Sequence, residues 1–281
     1  MGDLLEAQAR VMLAPYSELA RSYDVALGLD SFRHARQAFE ALVKRHRIGF
    51  RSAADVGCGT GLFACYLSRC WGVRVFGVDR SRQMLSVARQ NCRDDRVCFL
   101  EQDLRCLTLP EPVDLVTANF DVVNHLIDVS DLQQALARIA VNLRPEGHVV
   151  FDAITNCRPL GGRRIFRRQV RHADRRIVQT IRWDPRRQLL TGVVFHFHRR
   201  RPAPLVEVYL ERGYAPAELG RALKAARFVT RGVHDAVTLE PVSSCTPRLR
   251  IVAQTGPRQG RSTPSPEIGE APDHRLPARK K

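Results

Sequence analysis

At 281 residues, with 44% hydrophobic and 26% charged side chains, the chain can bury a core as one large domain or one domain with a sizeable insertion. No stretch approaches the roughly 18 consecutive apolar residues of a membrane helix. Asp3, Glu6 and Arg10 interrupt the first leucines, where a signal peptide would be apolar. These features argue against a secreted, membrane-spanning or fibrous protein, and a cytoplasmic one is expected.

The net charge of +16 suggests nucleic acid, but 41 of the 45 basic residues are arginine. So lopsided a ratio points to G+C-rich coding as much as to a partner. The surplus is also local: residues 158–202 hold fourteen arginines against Asp174 and Asp184. The eight cysteines form no C-x-x-C pair and have no histidines at zinc spacing, so they read as reduced, buried thiols. His196 and His198 flank Phe197 without a third ligand, and no metal is expected.

In chain order, residues 1–50 read as a helical N-terminal lid. Leu19, Tyr23 and Leu27 form one apolar stripe; Phe32, Ala35, Phe39 and Leu42 form the next. From 53 to 152, short apolar runs alternate with helical patterns. The runs are Ala53–Gly57, Val73–Asp79, Val97–Gln102, Val113–Asn119 and His148–Asp152, with helices expected at 61–70, 81–91 and 130–143. That alternation predicts an α/β protein whose mainly parallel sheet has helices on both faces. Residues 153–213 break the rhythm. Ile177, Ile181 and Trp183 alternate, Asp184-Pro185 marks a turn, Val193, Phe195 and Phe197 alternate again, and Leu205–Tyr209 follows as a strand. This predicts an antiparallel β insertion. A helix at Pro216–Ala226 and strands at Val229–Val237 and Leu249–Gln254 return to the core, which thus comprises 1–152 and 214–254. Residues 255–281, rich in proline and glycine, predict a disordered tail.

Asp55-Val56-Gly57-Cys58-Gly59-Thr60-Gly61 follows a predicted strand and opens a helix. A dinucleotide fingerprint would need glycine where Leu62 stands, and a phosphate loop would need Gly-Lys-Ser/Thr. A carboxylate before the first glycine would repel phosphates, but it suits a ligand with a cationic amino acid end. Asp79 closes the second strand, placed to accept two hydrogen bonds from a ribose diol. Glu101-Gln102-Asp103 closes the third, where a carboxylate can accept from an exocyclic amine of adenine.

These residues resemble the class I S-adenosylmethionine-dependent methyltransferases over about residues 12–254. The resemblance implies a Rossmann-like seven-stranded sheet with its last strand antiparallel, and S-adenosyl-L-methionine as cofactor. Asp55 and the loop of Gly57, Cys58, Gly59 and Gly61 would surround the methionine end. Asp79 would hold the ribose and Asp103 would lie near the adenine. Arg80, Met84, Leu104, Asn119, Phe120 and a covering Tyr23 complete the expected cofactor set.

Between Pro112 and Pro145 there is no proline, so the Asn/Asp-Pro-Pro-aromatic loop of base N-methyltransferases is missing. Phe120-Asp121-x-x-Asn124-x-Leu126, with Leu143-Arg144-Pro145-x-Gly147 and Phe151-Asp152, resembles instead the bacterial small-molecule branch. That branch includes nucleotide-linked aminosugar N-methyltransferases and carries a β insertion after the fifth strand. The expected reaction is methyl transfer to a small molecule at nitrogen. An RNA methyltransferase using the basic insertion is the first alternative, and a non-catalytic cofactor-binding module the second. An amine nucleophile must be neutral, so His125, just beyond the fourth strand, is the expected base near pH 7, with Tyr16 bonding the substrate. The arginine segment reads first as solvated strand edges. Its second reading is a clamp (Arg163, Arg164, Arg167, Arg168) for a substrate phosphate or carboxylate, and its third is an RNA surface with Trp183 or Phe166 for stacking. Oligomeric state is left open, a dimer through the insertion included.

Overall fold

The computed structural model describes residues 11–157, 159–243 and 245–256. Strands β2 (Ser52–Val56), β3 (Arg74–Asp79), β4 (Val97–Glu101), β5 (Val113–Ala118) and β6 (Leu143–Ile154) run parallel. With β11 (Phe228–Asp235) and β12 (Arg248–Thr255) they form a seven-stranded sheet in the order β11-β12-β6-β5-β2-β3-β4. β12 is antiparallel to both its neighbours, β6 and β11. β2 is buried at every position, as a strand covered on both faces must be. One face packs on α4 (Val129–Asn142) and α5 (Pro216–Ala225) through Leu132, Leu136, Ile139, Leu219 and Leu223. The other packs on α1 (Leu29–His46) and α2 (Leu62–Trp71) through Phe39, Leu42, Phe63 and Leu67. α3 (Arg82–Asn91) lies against β4 and starts at Ser81, whose hydroxyl accepts from the Met84 amide.

The insertion is a second sheet. β7 (Ile165–His172), β8 (Arg175–Asp184), β9 (Leu189–His198) and β10 (Leu205–Arg212) form an antiparallel meander. The short strand β1 (Val11–Leu13) adds to its edge, parallel to β10. No helix among the described residues is long and apolar enough to cross a membrane.

The N-terminal region departs from the helical expectation. Residues 11–28 form β1, a 3-10 turn at Leu19–Ser22 and one wide π turn at Asp24–Gly28 before α1 begins. Pro15 and a left-handed Tyr16 (φ 62°) preclude a continuous helix. The amides of Glu18 and Leu19 are taken by the Glu207 carboxylate of β10 rather than by preceding carbonyls. The apolar stripe is real, but Leu19 buries it against Ile177, Val194 and Tyr209 of the insertion. Residues 1–10 lie outside the described residues. So does the expected tail beyond Gly256, while Thr255, assigned to it, still pairs within β12.

Candidate active site

The carboxyl ends of β2, β3, β4 and β5 open into a cavity of about 380 Å³, roofed by Tyr16, Tyr23, Gly28 and Phe32. Its floor is the glycine loop. Gly57 is left-handed (φ 65°), and a Cβ there would stand 2.3 Å from Val122, so only glycine lets the loop after β5 close over it. Gly61 (φ 79°) does not line the cavity. It is the turn into α2, where a Cβ would meet Ala88 at 2.9 Å. The other residues expected to hold the cofactor all line the cavity, as do Tyr16 and His125.

The acids differ in their engagement. Asp55 is buried and accepts from the Thr117 hydroxyl at 2.7 Å; burial pushes its carboxyl up to about 7. Asp79 accepts from the Gly59 amide at 2.9 Å and the Ser81 amide at 2.8 Å, which fixes the loop and leaves further lone pairs facing the cavity. Burial raises its carboxyl too. Asp103 is held by its neighbour. Arg105 donates to it from the amide, Nε and Nη2 at 2.8–2.9 Å, which holds its carboxyl below the usual range. About one lone-pair position is then left for an adenine amine. Arg105, which also pairs with Asp131 at 2.9 Å, was not foreseen, although it stands only two residues along the chain. Among the lining residues, five aspartates face two arginines, Arg80 and Arg105, so the cavity favours a cationic ligand.

Asn119 ends β5. Its side-chain carbonyl accepts from Arg250 at 2.9 Å, and its buried Nδ2 has no hydrogen-bond partner among the described residues. A buried donor without an acceptor is costly, and here it lines the cavity, as a ligand-binding group would. Beyond it, Asp121 (φ 64°) is gripped by both Arg248 nitrogens, and Arg248 also reaches Asp152 at 3.1 Å. Arg248 and Arg250 lie 96 to 131 residues from these partners, and no local pattern marks them.

His125 lies at the end of a 3-10 turn, Val122–His125, facing Tyr16. Its Nδ1 is 3.1 Å from the Leu210 carbonyl, which can only accept, so Nδ1 carries the hydrogen and Nε2 the lone pair. The Tyr16 hydroxyl lies 3.0 Å from Nε2 and so donates to it, with Tyr16 stacked on Tyr209 at 5.7 Å. Burial lowers the imidazole to about 4, so the expected base poised near pH 7 is instead a neutral ring across that range. Glu211 of β10, 3.6 Å from Nε2, is a second titratable group that sequence reasoning missed.

The arginines proposed as a substrate clamp stand elsewhere. Arg163, Arg164 and Arg167 are exposed, Arg168 bonds Gln179 at 2.6 Å, and none lines the cavity. Trp183, offered for base stacking, is buried with Ile154 and Leu190. Among the described residues no cluster of three or more His, Cys, Asp or Glu could hold a metal.

Residues 53–147 match the family profile of the methyltransferase domain. Over that stretch the chain is similar to a methyltransferase domain, and its sheet order is the fold it shares with solved S-adenosylmethionine-dependent methyltransferases. A crystal structure of such an enzyme from Clostridium acetobutylicum superposes with a TM-score of 0.71 at 21% identity, over 86% of this chain and 99% of that one. A sugar N-methyltransferase from Streptoalloteichus gives 0.71 at 18% identity, over 89% and 98%. In sequence, the chain is 35% identical over 143 residues to the dTDP-3-amino-3,6-dideoxy-α-D-glucopyranose N,N-dimethyltransferase of Streptomyces fradiae, covering 50% of this chain and 54% of that one. The chain spans about half the length of the curated relatives it matches first.

Proposed function

We propose that the protein transfers a methyl group from S-adenosyl-L-methionine to the nitrogen of a small amine, in the cytoplasm. The observation that carries this reading is the junction of two features: an aspartate-lined cavity at the carboxyl edge of the sheet, and a neutral imidazole on its wall whose Nε2 lone pair is held by the Tyr16 hydroxyl. The bound cofactor supplies a methyl group already activated on a sulfonium. The protein's own residues do the rest. Asp79 and Asp103 present acceptors for a ribose and an adenine, while Asp55 and the Gly57–Gly59 backbone form the other end of the cradle. Tyr16 and Tyr23 roof the site and keep water from the reacting atoms. His125 offers Nε2 to an N–H of the acceptor.

An RNA acceptor stands second, because the insertion arginines Arg163, Arg164, Arg167 and Arg168 do not line the cavity. The decisive experiment is labelled-methyl transfer from S-adenosylmethionine to dTDP-3-amino-3,6-dideoxyglucose, to a fractionated metabolite extract and to total RNA. Label is expected on an amine in the metabolite arms. Transfer to RNA at physiological salt, with none to small molecules, would overturn the reading.

A further inference from the structure

Glu207 of β10 is buried, at 1% exposed, and does not line the cavity, yet three donors of the N-terminal region converge on it. Its Oε1 accepts from the Glu18 amide, from the Leu19 amide at 3.0 Å and from the Ser17 hydroxyl at 3.3 Å. The first amides of a helical turn lack partners inside it, and Glu18, at the start of the 3-10 turn Leu19–Ser22, makes no side-chain cap bond. A carboxylate 188 residues along the chain supplies the cap instead. Burial would raise this carboxyl, but His196, with Nε2 3.7 Å from Oε2, and the two amides outweigh it and hold the carboxyl below the ordinary range. The Glu18 side chain is tied to the same sheet by Arg175 at 2.7 Å and His198 at 3.3 Å.

Tyr16 directly precedes the residues that Glu207 holds. Its ring stacks at 5.7 Å on Tyr209, two residues beyond Glu207 on the same face of β10. Gly192, across the ladder, makes room for the Tyr209 ring, because a Cβ there would stand 2.1 Å from it. β10 thus holds Tyr16 through the backbone beside it and through its ring, and the Tyr16 hydroxyl meets His125 Nε2 at 3.0 Å. Tyr23, the other roofing tyrosine, has a separate tie. The adjacent Asp24 accepts from the Thr60 hydroxyl of the glycine loop and from the Asn91 side chain at 3.1 Å. Loss of Glu207 therefore frees the Tyr16 end of the roof and leaves the Tyr23 end in place.

We propose that Glu207 is a positioning residue for methyl transfer, holding Tyr16 against His125 from outside the cavity. The inference rests on the reading above, in which Tyr16 roofs the site and His125 faces the acceptor. It gives the insertion a task, because the sheet then carries one end of the roof.

Glu207→Ala removes the acceptor, whereas Glu207→Gln keeps a side-chain carbonyl at the same reach. In the ligand-free protein, hydrogen exchange at the Glu18 and Leu19 amides should be about tenfold faster in the alanine variant and close to wild type in the glutamine variant. Unchanged exchange in the alanine variant overturns the proposal. Calorimetry should give the alanine variant nearly wild-type affinity for S-adenosylmethionine. Its kcat on dTDP-3-amino-3,6-dideoxyglucose should fall about tenfold and recover in the glutamine variant. Tyr16→Phe should lower kcat in the wild type and add little to Glu207→Ala, because both act through one hydroxyl. Losses that simply multiply, or a Tyr16→Phe variant with full kcat, overturn the proposal. If Glu207→Ala does not fold, Glu207→Asp replaces it, since the shorter side chain keeps the charge and loses the reach. Wild-type protein that methylates another acceptor in the extract removes the amine reading alone, and the coupling is then read on that acceptor. Wild-type protein that labels no acceptor removes both.

Discussion

Asp79 illustrates how one side chain both builds the site and serves it. Its two oxygens receive the amides of Gly59 and Ser81, so the carboxylate holds the glycine loop in shape before any ligand arrives. Asp79→Ala should therefore weaken S-adenosylmethionine binding by about 1–3 kcal/mol, the cost of leaving buried donors and a ribose without their acceptor. Asp79→Asn, which keeps one acceptor oxygen, should lose less. Titration calorimetry giving the alanine variant unchanged affinity would remove the ribose assignment. Asp79 was legible in the sequence because everything that defines it is local: a strand end, a glycine loop just upstream and a helix just after. Glu211 and Arg248 were not. Each reaches its partner across 85 or more residues, and only the arrangement of strands brings them together.

At the scale of elements, the loop after β5 owes its position to Asn124, which is fully buried. Its Nδ2 donates to the carbonyls of Ile154 at 2.9 Å and Arg212 at 2.6 Å, and its Oδ1 accepts from the Ile154 amide at 2.9 Å. One amide thus joins the turn that ends in His125 to β6, the strand before the insertion, and to β10, the insertion's last strand. Asn124→Ala should destabilise the protein by about 1–3 kcal/mol and lower kcat, with cofactor affinity little changed. Thermal unfolding and calorimetry on the same preparation separate these effects; full stability in the variant would contradict the anchoring role. Periodicity revealed the central strands most clearly, because β2 and β5 are buried along nearly their whole length and mostly apolar. It missed β7, where arginine fills Arg167, Arg168 and Arg171, because an edge strand needs little apolar surface to pair. It also took residues 11–28 for helix, since an apolar stripe can face the insertion sheet from turns as well as from a helix, and the left-handed Tyr16 is fixed by His125 and Tyr209 rather than by its neighbours in sequence.

Across the whole molecule, the buried ionisable groups predict how stability depends on pH. Burial depresses His46, His125, His148, His198 and His234, and Arg105 depresses Asp103. For these, the unfolded chain binds protons first, so their contribution is complete above about pH 6.5 and is lost as pH falls. Asp121, Asp55 and Glu211 have the opposite sign. Burial raises them to about 6, 7 and 8, so the folded protein keeps protons that the unfolded chain has already released. That stabilisation is present in full below the ordinary carboxylate range and disappears as pH climbs through the folded values. Between about pH 6.5 and 8 the second group dominates the change, and each unit of pH then costs about 1.4 kcal/mol for every such acid still protonated in the fold. The ligand-free protein should accordingly lose stability between pH 6.5 and about 8, with Glu211 responsible for most of the decline, and the buried thiols of Cys58 and Cys65, also raised by burial, extend it at higher pH. Glu211→Gln should flatten that limb without lowering stability at pH 6.5. Saturating S-adenosylmethionine should oppose the decline as well, because its positive charge favours the ionised form of Asp55. Chemical denaturation at a series of pH values gives the test. Stability that holds level or rises from pH 6.5 to 8 in the ligand-free protein would mean that Glu211 and Asp55 are already ionised in the fold.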